Sequence, residues 1–211
     1  MTDFERQLRK RYNVIATAAE SVLSRILLDL REFLQGVPYV DTPSGRVKSK
    51  ESFVAKVLRD PDKYNPPFQR VEDLIGLRVP VYFSDTSKDV YEKLRHGFFS
   101  NVEDSHKNYE SGYEGFHLIQ SIPLSFLPQP PPSDFPVLIE IQVRTLFLHA
   151  WAQPEHLFRY KNDLGLRGDN GEIDRRLKEL SELSRRSDRI LMDLKGWYER
   201  TKSDRNSEFR N

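Results

Sequence analysis

The sequence predicts an α+β domain, with a small mixed β-sheet in mid-chain, helices flanking it, and one long helix at each end. Two patterns carry this. Apolar residues recur at helical spacing near both termini: Val14, Ala18, Val22, Ile26, Leu27, Leu30 and Phe33 in residues 4–35, and Ile173, Leu177, Leu180, Leu183, Ile190, Leu191 and Leu194 in residues 172–202. Between them lie short apolar, β-rich runs at 74–83, 116–122 and 137–143, each the length of a strand.

The first helix closes at Gly36-Val37-Pro38. Asp41 to Gly45 reads as a turn. Ser49 caps a helix running to about Arg59, and Asp60 to Phe68, with Pro61, Pro66 and Pro67, reads as a loop. Pro80 marks a bulge or an edge in the 74–83 strand. A helix is expected over 85–94. The stiff segment Pro128 to Pro132 joins the last two strands. A helix follows from Thr145 to about Lys161, with Pro154 expected to kink or split it. Residues 162–170 form a linker, and 203–211 are expected to fray. The whole of 1–211 reads as one domain, with its core at about 40–162.

Composition narrows the function classes. Lys plus Arg total 33 and Asp plus Glu 32, so any basic site must be local. The lack of cysteine excludes disulfides, thiolate metal sites and cysteine nucleophiles. No apolar run reaches the roughly 20 residues needed to span a bilayer, and the start of the chain lacks a signal peptide's apolar segment. A cytoplasmic protein without membrane contact is expected.

Three clusters carry chemistry. Arg46 and Lys48 leave a glycine loop just before a helix that bears Ser52 and Lys56 one turn apart. Cations converging near a helix start suit an oligophosphate, although alone such a cluster reads first as a solvated surface. Asp73 heads a strand that also bears Arg78. Glu140, Gln142 and Arg144 alternate along another strand and share one face of it. A wet outer face is the plain reading. Both strands look central, however, and a carboxylate from each of two neighbouring strands is a common way to hold Mg²⁺. Between these clusters, Gly112 and Gly115 permit a tight loop, and Tyr113 offers a flat face to a base. His117 alone reads as a structural histidine.

Taken together these segments resemble the synthetase domain of the RelA/SpoT family, in its short form, the small alarmone synthetases. The matching stretches are Gly45-Arg46-Val47-Lys48 with Ser52 and Lys56, Asp73 to Arg78, Ser111-Gly112-Tyr113 with His117, Glu140 to Thr145, and Trp151-Ala152 with Glu155-His156 and Tyr160-Lys161. They occur in family order. The resemblance implies a nucleotidyltransferase-like fold and transfer of the β,γ-pyrophosphate of ATP to the 3′-hydroxyl of GDP or GTP. It implies that Arg46 stacks on adenine, and that Lys48, Ser52, Lys56 and Arg78 hold the ATP phosphates. Asp73 and Glu140 would bind Mg²⁺, with Glu140 also available as base. Gln142 and Arg144 would support the site, Tyr113 would stack on the acceptor base, and His117 would contact phosphate.

Three departures bear on the acceptor. Tyr109 stands where many relatives carry lysine, Glu114 where they carry arginine, and His149 where asparagine occurs near the guanine site. Those cations help bind the acceptor's 5′-diphosphate. Lys107 lies close enough to substitute. In this respect the chain is similar to the toxic branch of small alarmone synthetases, which pyrophosphorylates the 3′ CCA end of tRNA and is neutralised by an antitoxin. Arg6, Arg9, Lys10 and Arg11 would then meet tRNA phosphates, against the plainer reading of a solvated helix face. The tRNA end is therefore the favoured acceptor, with GDP or GTP the alternative and a non-catalytic nucleotide-binding module a third reading. A nucleotidyltransferase moving NMP is disfavoured, because no Gly-Ser precedes an Asp-x-Asp strand. The wide apolar stripes of the terminal helices leave three roles open: a homo-oligomer contact, an antitoxin surface, or folding back on the domain.

Overall fold

The computed structural model describes residues 1–99, 103–108, 114–122, 136–160 and 171–208. Helix α1 spans Asp3–Phe33, strand β1 Ser44–Val47, helix α2 Lys50–Arg59 and the short helix α3 Pro67–Arg70. Then come β2 (Ile75–Val81), α4 (Ser84–Gly97), β3 (Glu103–Asn108), β4 (Glu114–Ile122), β5 (Val137–Thr145), α5 (Leu146–Tyr160) and α6 (Glu172–Glu208). The strands form one sheet in the order β1-β2-β5-β4-β3. Only β2 and β5 run parallel; the other pairs are antiparallel. The expected mixed sheet between long terminal helices is what the chain forms.

The side-chain alternation of β2 and β5 gives the sheet two unlike faces. One face carries Leu77, Val79, Ile139, Ile141, Val143 and, from β4, Leu118, none of them exposed. Each such side chain contributes ~1.5–3 kcal/mol relative to an exposed one. Helices α1 and α4 supply the covering residues, among them Leu23, Leu30, Val90 and Leu94. Gly45 permits the close approach of α1. A Cβ there would lie 2.6 Å from Leu23 Cδ1 and 2.7 Å from Leu77 Cδ2. The opposite face is polar and bears the site.

The structure departs from the sequence expectations at identifiable places. Ser44–Val47 is an edge strand rather than part of a turn, and its ladder to β2 carries the pairing that its composition does not advertise. Glu103–Asn108 (Glu-Asp-Ser-His-Lys-Asn) lacks β-branched and aromatic residues, yet pairs with β4 along its whole length. Pro67–Arg70 is a turn of helix inside the expected loop, with Pro66 as its cap and Pro67 in its first turn. Helix α6 extends to Glu208, beyond the 172–202 expected, and no glycine or proline interrupts the chain over 203–208. Helix α5 holds Pro154 without dividing into two. Pro80 lies beyond the last β1 pair, so its missing N–H faces no ladder partner on that side, while its carbonyl accepts from Asp41 N at 2.9 Å. As expected, Ser49 caps α2, accepting from Ser52 N at 3.3 Å.

Candidate active site

The register of the sheet gathers the predicted residues on its polar face. Arg46 on β1 pairs with Gly76 on β2, which pairs with Glu140 on β5. One step along, Arg78 pairs with Gln142, and Gln142 pairs with His117 on β4. Arg144 follows on the same face, two residues further along β5. Four strands, β1, β2, β4 and β5, thus present their functional side chains as adjacent rows.

Asp73 stands just before β2, where the chain from α2 reaches it. Lys48 Nζ donates to Asp73 Oδ2 at 2.6 Å and Lys56 Nζ to Asp73 Oδ1 at 2.8 Å. The position of Lys48 is fixed through its backbone: its N–H donates to Leu74 O at 2.8 Å, and its carbonyl accepts from the Tyr12 hydroxyl of α1. Burial alone would raise the Asp73 carboxyl. The charges of Lys48 and Lys56, and the hydrogen bonds they donate, outweigh this and hold it below the usual carboxylate range. Lys56 is the mirror case: burial would lower it, but Asp73, with lesser help from Tyr64 and Glu140, raises it. Both partners therefore stay charged at neutral pH.

Glu140 is buried, 6% exposed, and both its oxygens are engaged. His117 Nδ1 lies 2.7 Å from Oε1, and Gln142 Nε2 donates to Oε2 at 2.8 Å. His117, for which the resemblance implies a phosphate contact, is bonded here to Glu140. Its imidazole is 3% exposed and bonded to Glu140, so it orients that carboxylate. Gln142 holds the other oxygen of the same carboxylate.

Beside this pair, Arg144 is buried and His149 half-buried. Burial first, then the charges of Arg144 and Arg78, push His149 down from 6.5 to about 4, against an opposing pull from Asp41. The imidazole is thus neutral in the fold at pH 7. Between pH 6.5 and about 4 the unfolded chain binds a proton at this residue that the fold refuses, so its contribution to stability is lost as pH falls through that window. Replacing His149 by Asn should shrink the loss of stability between pH 7 and pH 5, read as urea midpoints of the two proteins. Equal losses would show that His149 protonates freely in the fold.

Arg46 is exposed on the edge strand, with its guanidinium open to a ligand, and Ser52 is half-buried on the first turn of α2 beside Ser49, 2.9 Å between hydroxyl oxygens. Of the basic residues on α1, Arg6 pairs with Asp3 at 3.3 Å and Arg9 with Glu5 at 3.0 Å, Arg11 lies over the Phe68 ring, and Lys10 is exposed. Tyr109 and Tyr113 lie outside the described residues.

The arrangement has a definite electrostatic sense. Lys48, Lys56, Arg46, Arg78 and Arg144 surround two carboxylates, so the face is net positive and suits a polyphosphate. Among the described residues no cluster of three or more His, Asp or Glu could hold a metal unaided. Asp73 nevertheless has the chemistry of a hard-cation ligand, and Mg²⁺ commonly takes one or two carboxylates together with substrate phosphates. Asp73 would be the first protein ligand, exchanging its lysines for the metal. Glu140, with one hydrogen bond on each oxygen, keeps lone pairs with which it could join.

Comparison with known proteins bears on this face directly. Residues 45–164, which include nearly all of these side chains, match the family described as a region found in RelA / SpoT proteins. The GTP pyrophosphokinase YjbM of Bacillus subtilis is 30% identical over 164 residues, covering 74% of this chain and 72% of YjbM. The chain therefore belongs to the RelA/SpoT family, and with it to the pyrophosphokinases. Its fold matches the crystal structure of small alarmone synthetase 1 from Bacillus subtilis, with TM-score 0.73 at 24% identity over 90% of this chain and 98% of that one. The same protein bound to its product pppGpp gives TM-score 0.71 at 25% identity, over 89% and 97% of the two chains.

Sequence reasoning missed three residues that shape the site. Tyr12 holds Lys48 from a helix remote in sequence. Gly76 lies between Arg46 and Glu140, and a Cβ there would meet nothing within 4 Å. Asp188 on α6 accepts from Thr145 Oγ1 at 2.8 Å, tying the end of β5 to the last helix. Only Gly76 carried a signal, as a glycine inside an otherwise apolar strand.

Proposed function

We propose that this chain transfers the β,γ-pyrophosphate of ATP to a nucleotide 3′-hydroxyl, with the 3′ end of tRNA as the favoured acceptor. The observation that carries the transfer is the pairing of two unlike carboxylates on one cationic face. Asp73 is held ionised by Lys48 and Lys56, and Glu140 is buried against His117 and Gln142.

The acceptor 3′-oxygen attacks the β-phosphorus. The bond from that phosphorus to the α,β-bridging oxygen breaks, AMP leaves, and the hydroxyl proton passes to a base. Such a reaction depends on positioning and charge neutralisation more than on covalent catalysis. Lys48, Lys56 and Arg78 neutralise the phosphates, and exposed Arg46 stacks on adenine. Glu140 takes the proton, and His117, bonded to its Oε1, orients it and helps carry the resulting charge. A divalent metal, where bound, would sit on Asp73 and neutralise charge on the transferring group.

The choice of acceptor rests on Tyr109 and Glu114. The first is neutral and the second acidic where cations would meet a free diphosphate. A like charge ~4–6 Å from a diphosphate costs on the order of a kcal/mol or more, while the terminal nucleotide of an RNA carries only one diester charge. A second reading, GDP or GTP as acceptor, is favoured by the likeness to a GTP pyrophosphokinase. On the tRNA reading the protein is a translation-blocking toxin with an antitoxin partner.

Incubating the protein with γ-labelled ATP, Mg²⁺ and GDP, GTP or deacylated tRNA separates the two. Label on tRNA alone is the expected result; label on GDP or GTP alone overturns the acceptor assignment. Tyr109→Lys with Glu114→Arg is expected to raise transfer to GDP, and no gain would sink the charge argument.

A further inference from the structure

Among the bonds that fasten α6 to the domain, one differs in kind. Trp151 Nε1 donates to Leu177 O at 2.8 Å, and Lys195 Nζ donates to Asp85 Oδ2 at 2.6 Å at the surface. Asp188, by contrast, meets Thr145 where both are buried, 7% and 2% exposed. Burying a carboxylate costs free energy, and an apolar contact would fasten the helix without that cost. What a buried polar pair adds is direction, because a hydrogen bond fixes the angle of the groups it joins.

The direction set here bears on the site. The Thr145 hydroxyl gives its proton to Asp188 and accepts the N–H of Leu148 at 3.3 Å, so its orientation is fixed from both sides. Thr145 is also the junction of two elements: it is the last residue of β5, and its hydroxyl caps the first turn of α5. Immediately before it stands Arg144, 4% exposed, and one turn after it stands His149. The charges of Arg144 and Arg78 act on that imidazole, so the strand and the helix bring these side chains together across Thr145. A change in how the threonine is held would turn α5 against β5, and His149 against Arg144.

We propose that Asp188 is a positioning residue for pyrophosphate transfer: through the Thr145 hydroxyl it sets the angle at which α5 leaves β5, and so holds His149 against Arg144 on the acceptor side of the site. That side is the place the family resemblance gives these two residues, and the proposal rests on it for the substrate affected.

The test is steady-state kinetics of full-chain variants with γ-labelled ATP and the acceptor that the wild type labels, deacylated tRNA or GDP, with a circular dichroism melt of each protein. Asp188→Leu is expected to lower kcat/KM for the acceptor roughly 10–100-fold, while KM for ATP stays within about twofold of wild type. Thr145→Val carries the same expectation and serves where Asp188→Leu fails to fold. Asp188→Asn keeps an oxygen for the hydroxyl and should recover most of the loss. The double variant should fall well short of the product of the two single losses, since both remove one link. Lys195→Ala loosens α6 away from Thr145 and should leave both KM values unchanged. An effect of Asp188→Leu confined to the melting temperature, or matched by Lys195→Ala, would overturn the proposal. An Asp188→Asn protein as poor as Asp188→Leu, or losses that multiply in the double variant, would overturn it equally. His149→Ala separates these failures from a wrong acceptor assignment. If it and Asp188→Leu both raise KM for ATP and spare the acceptor, the link through Thr145 stands and the assignment falls.

Discussion

Glu140→Gln is expected to lower the rate of pyrophosphate transfer by about 10²–10⁴-fold, the range typical of a lost general base. Gln keeps the size of Glu and one acceptor oxygen, so the fold should survive. What changes is that the side chain no longer takes a proton or bears charge. The buried contacts rearrange, since His117 and Gln142 now share a single acceptor, at a cost of about 1–3 kcal/mol if one group stays unsatisfied. The informative comparison is kcat against KM for ATP. A base acts on the acceptor hydroxyl in the transition state, so kcat should carry the loss and KM should move little. Wild-type kcat in a folded Glu140→Gln protein would remove Glu140 from the chemistry altogether.

Much of this was legible in the sequence because the signals are local. The apolar runs of β2 and β5 announce central strands, and the alternation of Glu140, Gln142 and Arg144 announces a polar face on one of them. The helical periodicities announce α1 and α6. What escaped was settled at long range. Ser44–Val47 and Glu103–Asn108 are strands because a neighbour offers them a ladder, not because of their own residues. The bond between His117 and Glu140 joins residues 23 apart in sequence, and the alignment of β4 with β5 decides it. That alignment buries the histidine against Glu140, a contact no local signal announces. Neither the twin hold of Lys48 and Lys56 on Asp73 nor the anchoring of Lys48 by Tyr12 was read from the sequence, since each joins elements remote along the chain.

Gly76 separates the needs of the fold from the needs of the site. It lies inside β2, where glycine costs roughly 0.5–1 kcal/mol relative to alanine through lost backbone freedom and absent packing. Nothing in the backbone demands it: Gly36 and Gly171 have positive φ, but Gly76 does not, and a Cβ would enter open space. Valine, a good strand former, should therefore hold or raise the melting temperature. That same Cβ projects from the polar face between exposed Arg46 and Glu140, its neighbours in the register on either side. If ATP lies across this strip, the two methyl groups of valine fill the space its sugar and phosphates require. The expected result for Gly76→Val is a kcat/KM for ATP at least about tenfold lower, some 1.4 kcal/mol of transition-state stabilisation, in a protein no less stable than the wild type. Gly76→Ala should fall between the two. Wild-type kcat/KM in the valine variant would mean that the nucleotide passes elsewhere and that the open space between Arg46 and Glu140 is incidental; loss of activity together with a gain in stability would identify Gly76 as a residue kept for the ligand.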